Sequence, residues 1–221
     1  MPIYIYEHSV YNSAFTLASA LAFIPTFTNP DAVRPLVWTD YRLALLFAVF
    51  IPLTILIWSW VQKSEAISLL MTIYWRVASL LAITVYLMIG GWGVGFITSF
   101  LSKLLIPISV WFWADLNEEI REQPKKSLHL AFNVWRWAIT IYCACGAVVQ
   151  LFSLPCAFGA AADTCLAWRE PSLAFKDVFH SGLTNGFLGF WGIVGLVIYA
   201  LYLGYFLVIR LGRQGRIALN Q

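Results

Sequence analysis

Charge is what this sequence has least of. Of its 221 residues only 11% are Asp, Glu, Lys or Arg, while 61% are hydrophobic; ordinary soluble domains carry roughly 25% charged residues. So few charges do not cover a water-facing surface, and a bilayer has to supply an apolar exterior in its place. The net charge is only +3 and the Lys and Arg residues are scattered between apolar stretches, which excludes nucleic acid as an expected partner. Catalytic motifs are missing too. There is no G-x-S-x-G, no H-E-x-x-H, no Walker loop and no carboxylate pair inside an apolar run, so an enzyme is the least expected class. His8, His129 and His180 are too dispersed for a metal-ligand pattern, and no cofactor is named by the sequence. Met1 to Glu7 lacks a basic residue ahead of its apolar part, and no small-residue cleavage site follows, so a removed signal peptide is not expected.

What remains is dominated by long apolar stretches. A helix needs about 20 mostly apolar residues to cross the hydrocarbon, and five segments meet that length: near 43–61, 67–89, 94–113, 128–152 and 187–209. Backbone groups cannot stay unpaired in lipid, and continuous apolar runs lack the alternation of a barrel strand, so the expected fold is an all-α, polytopic transmembrane helix bundle. Residues 12–27 form a shorter sixth element with Asn12, Thr16 and Ser19 as a polar stripe. They fit a packed or interfacial helix better than a full span. The chain thus divides into an N-terminal segment, 1–40, and a bundle, 41–221.

Lys and Arg mark the cytoplasmic loops of membrane proteins. Five spans put Lys63, Arg121, Lys125, Lys126, Arg210, Arg213 and Arg216 on one face, against Arg34, Arg42, Arg169 and Lys176 on the other. The C-terminus is therefore expected in the cytoplasm. Cys156 and Cys165 fall in the loop on the opposite side, where thiols are often oxidised. They suit a disulfide closing a small ring; the alternative is two free thiols in an apolar loop. Cys143 and Cys145 lie inside the fourth span and read as small packing residues.

Ionisable side chains within spans are expensive and are functional candidates by default. Arg76, Lys103 and Arg136 qualify, and none of the five segments contains Asp or Glu to pair with them. Their expected partners are backbone carbonyls, lipid phosphates, loop acids, a bound anion or a carboxylate on another subunit. Lys103 is central if its span starts at Val94, and near the rim if it starts at Thr98. The acids at Asp115, Glu118, Glu119 and Glu122 read as a solvated helical face, with metal binding as the lesser alternative. Gly186, Gly189, Gly192 and Gly195 recur every third residue on the fifth span. Small residues let helix backbones approach closely, so this stripe is expected against a helix of this chain or of another. Ile51-Pro52 with Trp58-Ser59-Trp60, and Ile106-Pro107 with Trp111-Phe112-Trp113, each precede a span bearing Trp-Arg, Trp75-Arg76 and Trp135-Arg136. That is the pattern of a weakly repeated helical hairpin.

The stretches Val37-Trp38-Thr39-Asp40-Tyr41-Arg42-Leu43-Ala44 and Tyr74-Trp75-Arg76-Val77-Ala78-Ser79-Leu80-Leu81-Ala82-Ile83-Thr84-Val85-Tyr86-Leu87-Met88 resemble an uncharacterised family of multi-spanning membrane proteins from cyanobacteria. The resemblance runs from about Arg34 to the C-terminus. It implies a thylakoid or plasma membrane, with lumen or periplasm outside, and brings no site or activity. Together the features lead to a non-catalytic protein in contact with the bilayer and with other membrane proteins, an accessory subunit or assembly factor of a photosynthetic or respiratory complex. The alternative is a small transporter or channel for an anionic solute, its path lined by Arg76 and Arg136, with Lys103 as a further candidate.

Overall fold

A computed structural model describes residues 29–122, 127–159 and 162–205. The helix expected at 12–27, the loop residues Lys125 and Lys126, and the terminal Arg210, Arg213 and Arg216 lie outside the described residues. Among the described residues there are seven helices: α1 Pro30–Val61, α2 Glu65–Gly90, α3 Val94–Trp111, α4 Ala114–Glu122, α5 Ser127–Leu151, α6 Ala162–Phe179 and α7 Asn185–Tyr205. Among the described residues there is no strand. Helices α1, α2, α3, α5 and α7 are long and apolar enough to cross a membrane. The molecule is an all-α, multi-pass membrane helix bundle.

Two boundaries depart from the sequence expectation. The first span starts at Pro30 instead of near Leu43, so a division between residues 40 and 41 cuts a continuous helix. Local chemistry explains the earlier start: the Asn29 side chain accepts from the Asp31 N–H at 3.0 Å, and Pro30 opens the first turn, where its missing N–H leaves nothing unsatisfied. The apolar run was masked by Arg34, Asp40 and Arg42. The second departure is α6, an eighteen-residue helix in what reads as a loop. It has only partial apolar character and stands against the outer half of α1, where Arg34 Nε donates to Glu170 at 2.7 Å.

Helix α1 is bent by its own sequence. Pro52 has no N–H to give to the carbonyl of Ala48 four residues back, and the chain widens into a π turn over Leu45–Phe50 just before it. Two carbonyls are released inside an apolar bundle, where water cannot reach them. The Tyr74 hydroxyl of α2 donates to Ala48 O at 2.7 Å, and the Trp135 indole of α5 donates to Phe47 O at 2.8 Å. The rings meet edge to face at 5.0 Å between centroids. Tyr74 is fully buried, as is Phe132 nearby, in a core that also takes Ile67, Leu70, Met71, Ile106 and Ile139.

Helix α2 is the central element, packed along α7, α3 and the inner half of α1. Its contact with α7 is backbone on backbone. A Cβ added to Gly189 would lie 2.6 Å from the Gly90 Cα, and one added to Gly192 would lie 2.9 Å from the Leu87 nitrogen. Gly195 meets Ile83, whereas Gly186 has nothing within 4 Å. The stripe therefore docks within its own chain. Beyond Gly90 the chain turns through Gly91, whose φ of +77° favours glycine.

Replacing Tyr74 by Phe leaves the Ala48 carbonyl unpaired in the core. The expected loss is about 1–2 kcal/mol, measured as a shift of the unfolding midpoint in mixed SDS micelles. Tyr199→Phe, which removes a buried hydroxyl with no partner among the described residues, is expected to leave the midpoint unchanged or to raise it.

Candidate functional site

The three cations that the sequence places inside spans, Lys103, Arg136 and Arg76, fall into separate settings. Lys103 is the deepest. It sits about 14 Å along α3 from Val94, and its side chain is only 4% exposed. Its ammonium donates to both carboxylate oxygens of Asp40 on α1, each at 2.7 Å, and to Gln150 Oε1 on α5 at 3.3 Å. The Tyr142 hydroxyl donates to the same carboxylate at 2.9 Å, and its ring lies 5.7 Å below the ammonium. This corrects the expectation that no span carries an acid: once α1 is drawn from Pro30, Asp40 belongs to it. Lys103 is central and paired; it does not snorkel.

The cradle for Lys103 is written on one face of α5. Tyr142, Gly146 and Gln150 are four residues apart, so they stack one above another. Gly146 leaves room for the lysine stem: a Cβ there would lie 2.9 Å from Nζ and 3.0 Å from Cδ. Gln150 is tied in turn to Ser153, donating from Nε2 at 2.9 Å. Three spanning helices thereby meet on a single ion pair, whose lone charges would each be costly in hydrocarbon.

Arg136 occupies the second setting, at the end of the bundle that holds α4. It donates to Asn117 of α4 and, at 3.0 Å, to Asn133 on its own helix. Its guanidinium lies 4.1 Å from the Trp111 ring centroid, a cation–π contact. Asn117 also donates to Trp113 O at 2.9 Å, which fixes the corner between α3 and α4. A cavity of about 420 Å³ opens beside Arg136 and is lined by Arg121, His129 and Glu118 among others.

Arg76 has the third setting, exposed on the outside of α2, where it donates to the Tyr202 hydroxyl at 3.1 Å. A cavity of about 530 Å³ lies between α2, α7 and the start of α4, bordered by Arg76, Thr72, Trp113, Asp115 and Tyr199. The Tyr199 hydroxyl is buried with no partner among the described residues.

By sequence Arg169 is only a loop charge. On α6 its Nε donates to Met88 O at 2.8 Å and its Nη2 to Ile89 O at 3.3 Å, so the cation closes the C-terminal end of α2, where the helix dipole favours it. Burial lowers its pKa from the ordinary guanidinium value. Helix α6 is held a second way, because Cys156 and Cys165 are joined in a disulfide with Cα atoms 5.6 Å apart. Cys143 is buried and Cys145 exposed, both as free thiols. Among the described residues no group of three or more His, Cys, Asp or Glu is arranged to hold a metal ion.

A multi-pass bundle with a paired charge at its centre is thus the class that fold and site define. Residues 34–219 match the family described as Protein of unknown function (DUF3177), and the chain belongs to that family. No curated protein and no solved structure matches it.

Gly146→Val pushes a branched side chain into the Lys103 stem. The expected loss is about 1–3 kcal/mol of stability in mixed micelles. Combined with Lys103→Ala, which empties that space, the same substitution is expected to cost far less than the sum of the two single changes.

Proposed function

We propose that the protein is a non-catalytic integral membrane protein that binds other membrane proteins, acting as an accessory subunit or assembly factor. The observation that carries this reading is Arg76. Lys103 is neutralised by Asp40 and Arg136 is held by two asparagines and an indole, whereas Arg76 stands exposed on a spanning helix with a neutral phenol at 3.1 Å. An exposed cation on a spanning helix is costly in hydrocarbon, and an acceptor brought by a neighbouring protein would relieve that cost. Its cavity carries a second donor in the Tyr199 hydroxyl, so a carboxylate or a free carbonyl on a neighbouring helix would satisfy both.

The resemblance to cyanobacterial membrane proteins directs the proposal to photosynthetic and respiratory complexes, in the thylakoid or plasma membrane. The excess of Lys and Arg on the α4 side favours a cytoplasmic C-terminus. Transport of an anionic solute is the weaker reading, because Arg76 and Arg136 would have to line one path. Arg76 and Arg136 instead border different cavities, and Lys103 is closed against a carboxylate.

In native gels of mildly solubilised membranes the protein is expected to comigrate with a larger complex. Arg76→Leu is expected to release it to the position of the free chain without lowering its own unfolding midpoint, and Arg76→Lys to retain part of the comigration. Migration of the wild-type chain alone, or unchanged comigration of Arg76→Leu, contradicts the proposal.

A further inference from the structure

Beyond the π turn, the outer half of α1 leans on α6 and draws away from α2. A cleft of about 380 Å³ is left between α1, α2 and α6, within the size range of small-molecule sites. Its walls are mostly apolar, including Ala48 of α1 and Ala82 of α2, while Asp40 and Lys103 contribute its polar floor. Trp75 from α2 and Trp168 from α6 both line it, and the indole N–H of each is buried with no hydrogen-bond partner among the described residues. Trp168 is only 6% exposed.

We propose that this cleft binds one neutral amphiphile, with an apolar chain along the alanine-lined wall and a carbonyl-bearing head near Trp168 and the ion pair. An indole N–H donates and cannot accept, so the stranded Trp168 donor calls for an acceptor oxygen. Asp40 and Lys103 cancel each other, with the carboxylate 27% exposed beside the cleft; a charged head would therefore enter hydrocarbon without a counter-ion. Quinones and glycerolipid esters both have the required chemistry, a carbonyl oxygen on a long apolar chain. This site is separate from the Arg76 cavity, so either proposal can fail alone.

The test uses the purified full chain in mild detergent, titrated with a decyl-substituted benzoquinone and, separately, with monodecanoyl glycerol. Unfolding temperature is the readout, with decyl sulfate and decyltrimethylammonium as charged chains of equal length. At least one neutral probe is expected to give a saturable rise that neither charged probe reproduces; which one responds separates the quinone source from the ester source. Trp168→Phe is expected to weaken that binding by about 3- to 10-fold. Ala82→Phe, at an exposed position on the cleft wall, is expected to abolish it; if that variant fails to fold, Ser79→Phe on the same wall takes its place. The proposal is overturned if neither neutral probe saturates, if the charged probes match them, or if the wall variant binds as the wild type does.

Discussion

The ion pair between Lys103 and Asp40 is the contact on which the arrangement of this bundle depends. Each charge alone is a serious liability in the hydrocarbon, and each is made tolerable by groups arriving from a different helix. Asp40 comes from α1, Lys103 from α3, and Tyr142 with Gln150 from α5. A slip of one residue along any of the three would part a charge from one of its partners. A buried pair of this sort need not add net stability over apolar packing. Its effect is to make one register of three greasy helices far better than its neighbours, which apolar contacts between similar surfaces do weakly.

The same logic of supplied partners recurs around the pair. Pro52 removes a donor from α1, and Tyr74 and Trp135 bring donors from two other helices to the carbonyls released. Arg169 closes the carbonyl end of α2, and Asn117 occupies both the corner after α3 and the Arg136 guanidinium. Each breach in a helix is filled from another element, so the breaches act as attachment points. The bend at the π turn has a second consequence: it parts α1 from α2 and opens the cleft that exposes the edge of the ion pair.

The apolar spans were legible because their signal is length and composition alone. Their depth assignments near 67–89, 94–113 and 128–152 lie within a few residues of α2, α3 and α5. The outer half of α1 was not legible, since Arg34, Asp40 and Arg42 break the run and the capping signal at Asn29-Pro30 is short. That one misplaced boundary removed Asp40 from the membrane and left Lys103 without a visible partner. A signal for the cradle did exist in Tyr142, Gly146 and Gln150 at four-residue spacing, a polar and small stripe on an otherwise apolar helix. The partner of the glycine stripe was undetermined because backbone packing on Gly90 and Leu87 leaves no charge or periodicity pointing from one helix to the other. Helix α6 escaped notice for a different reason: it is tied down by Arg34–Glu170, Arg169 and the disulfide, and long-range ties are invisible in local patterning.

The register role of the central pair is tested most directly by a double-substitution cycle on Lys103→Met and Asp40→Asn, with unfolding in mixed micelles as the readout. Either change alone leaves one charge buried without its counter-ion and is expected to lower stability by about 3–5 kcal/mol. The double variant is expected to recover most of that loss, while cysteine cross-links between α1 and α3 become less selective in register. Additive losses, or single variants as stable as the wild type, would contradict the account.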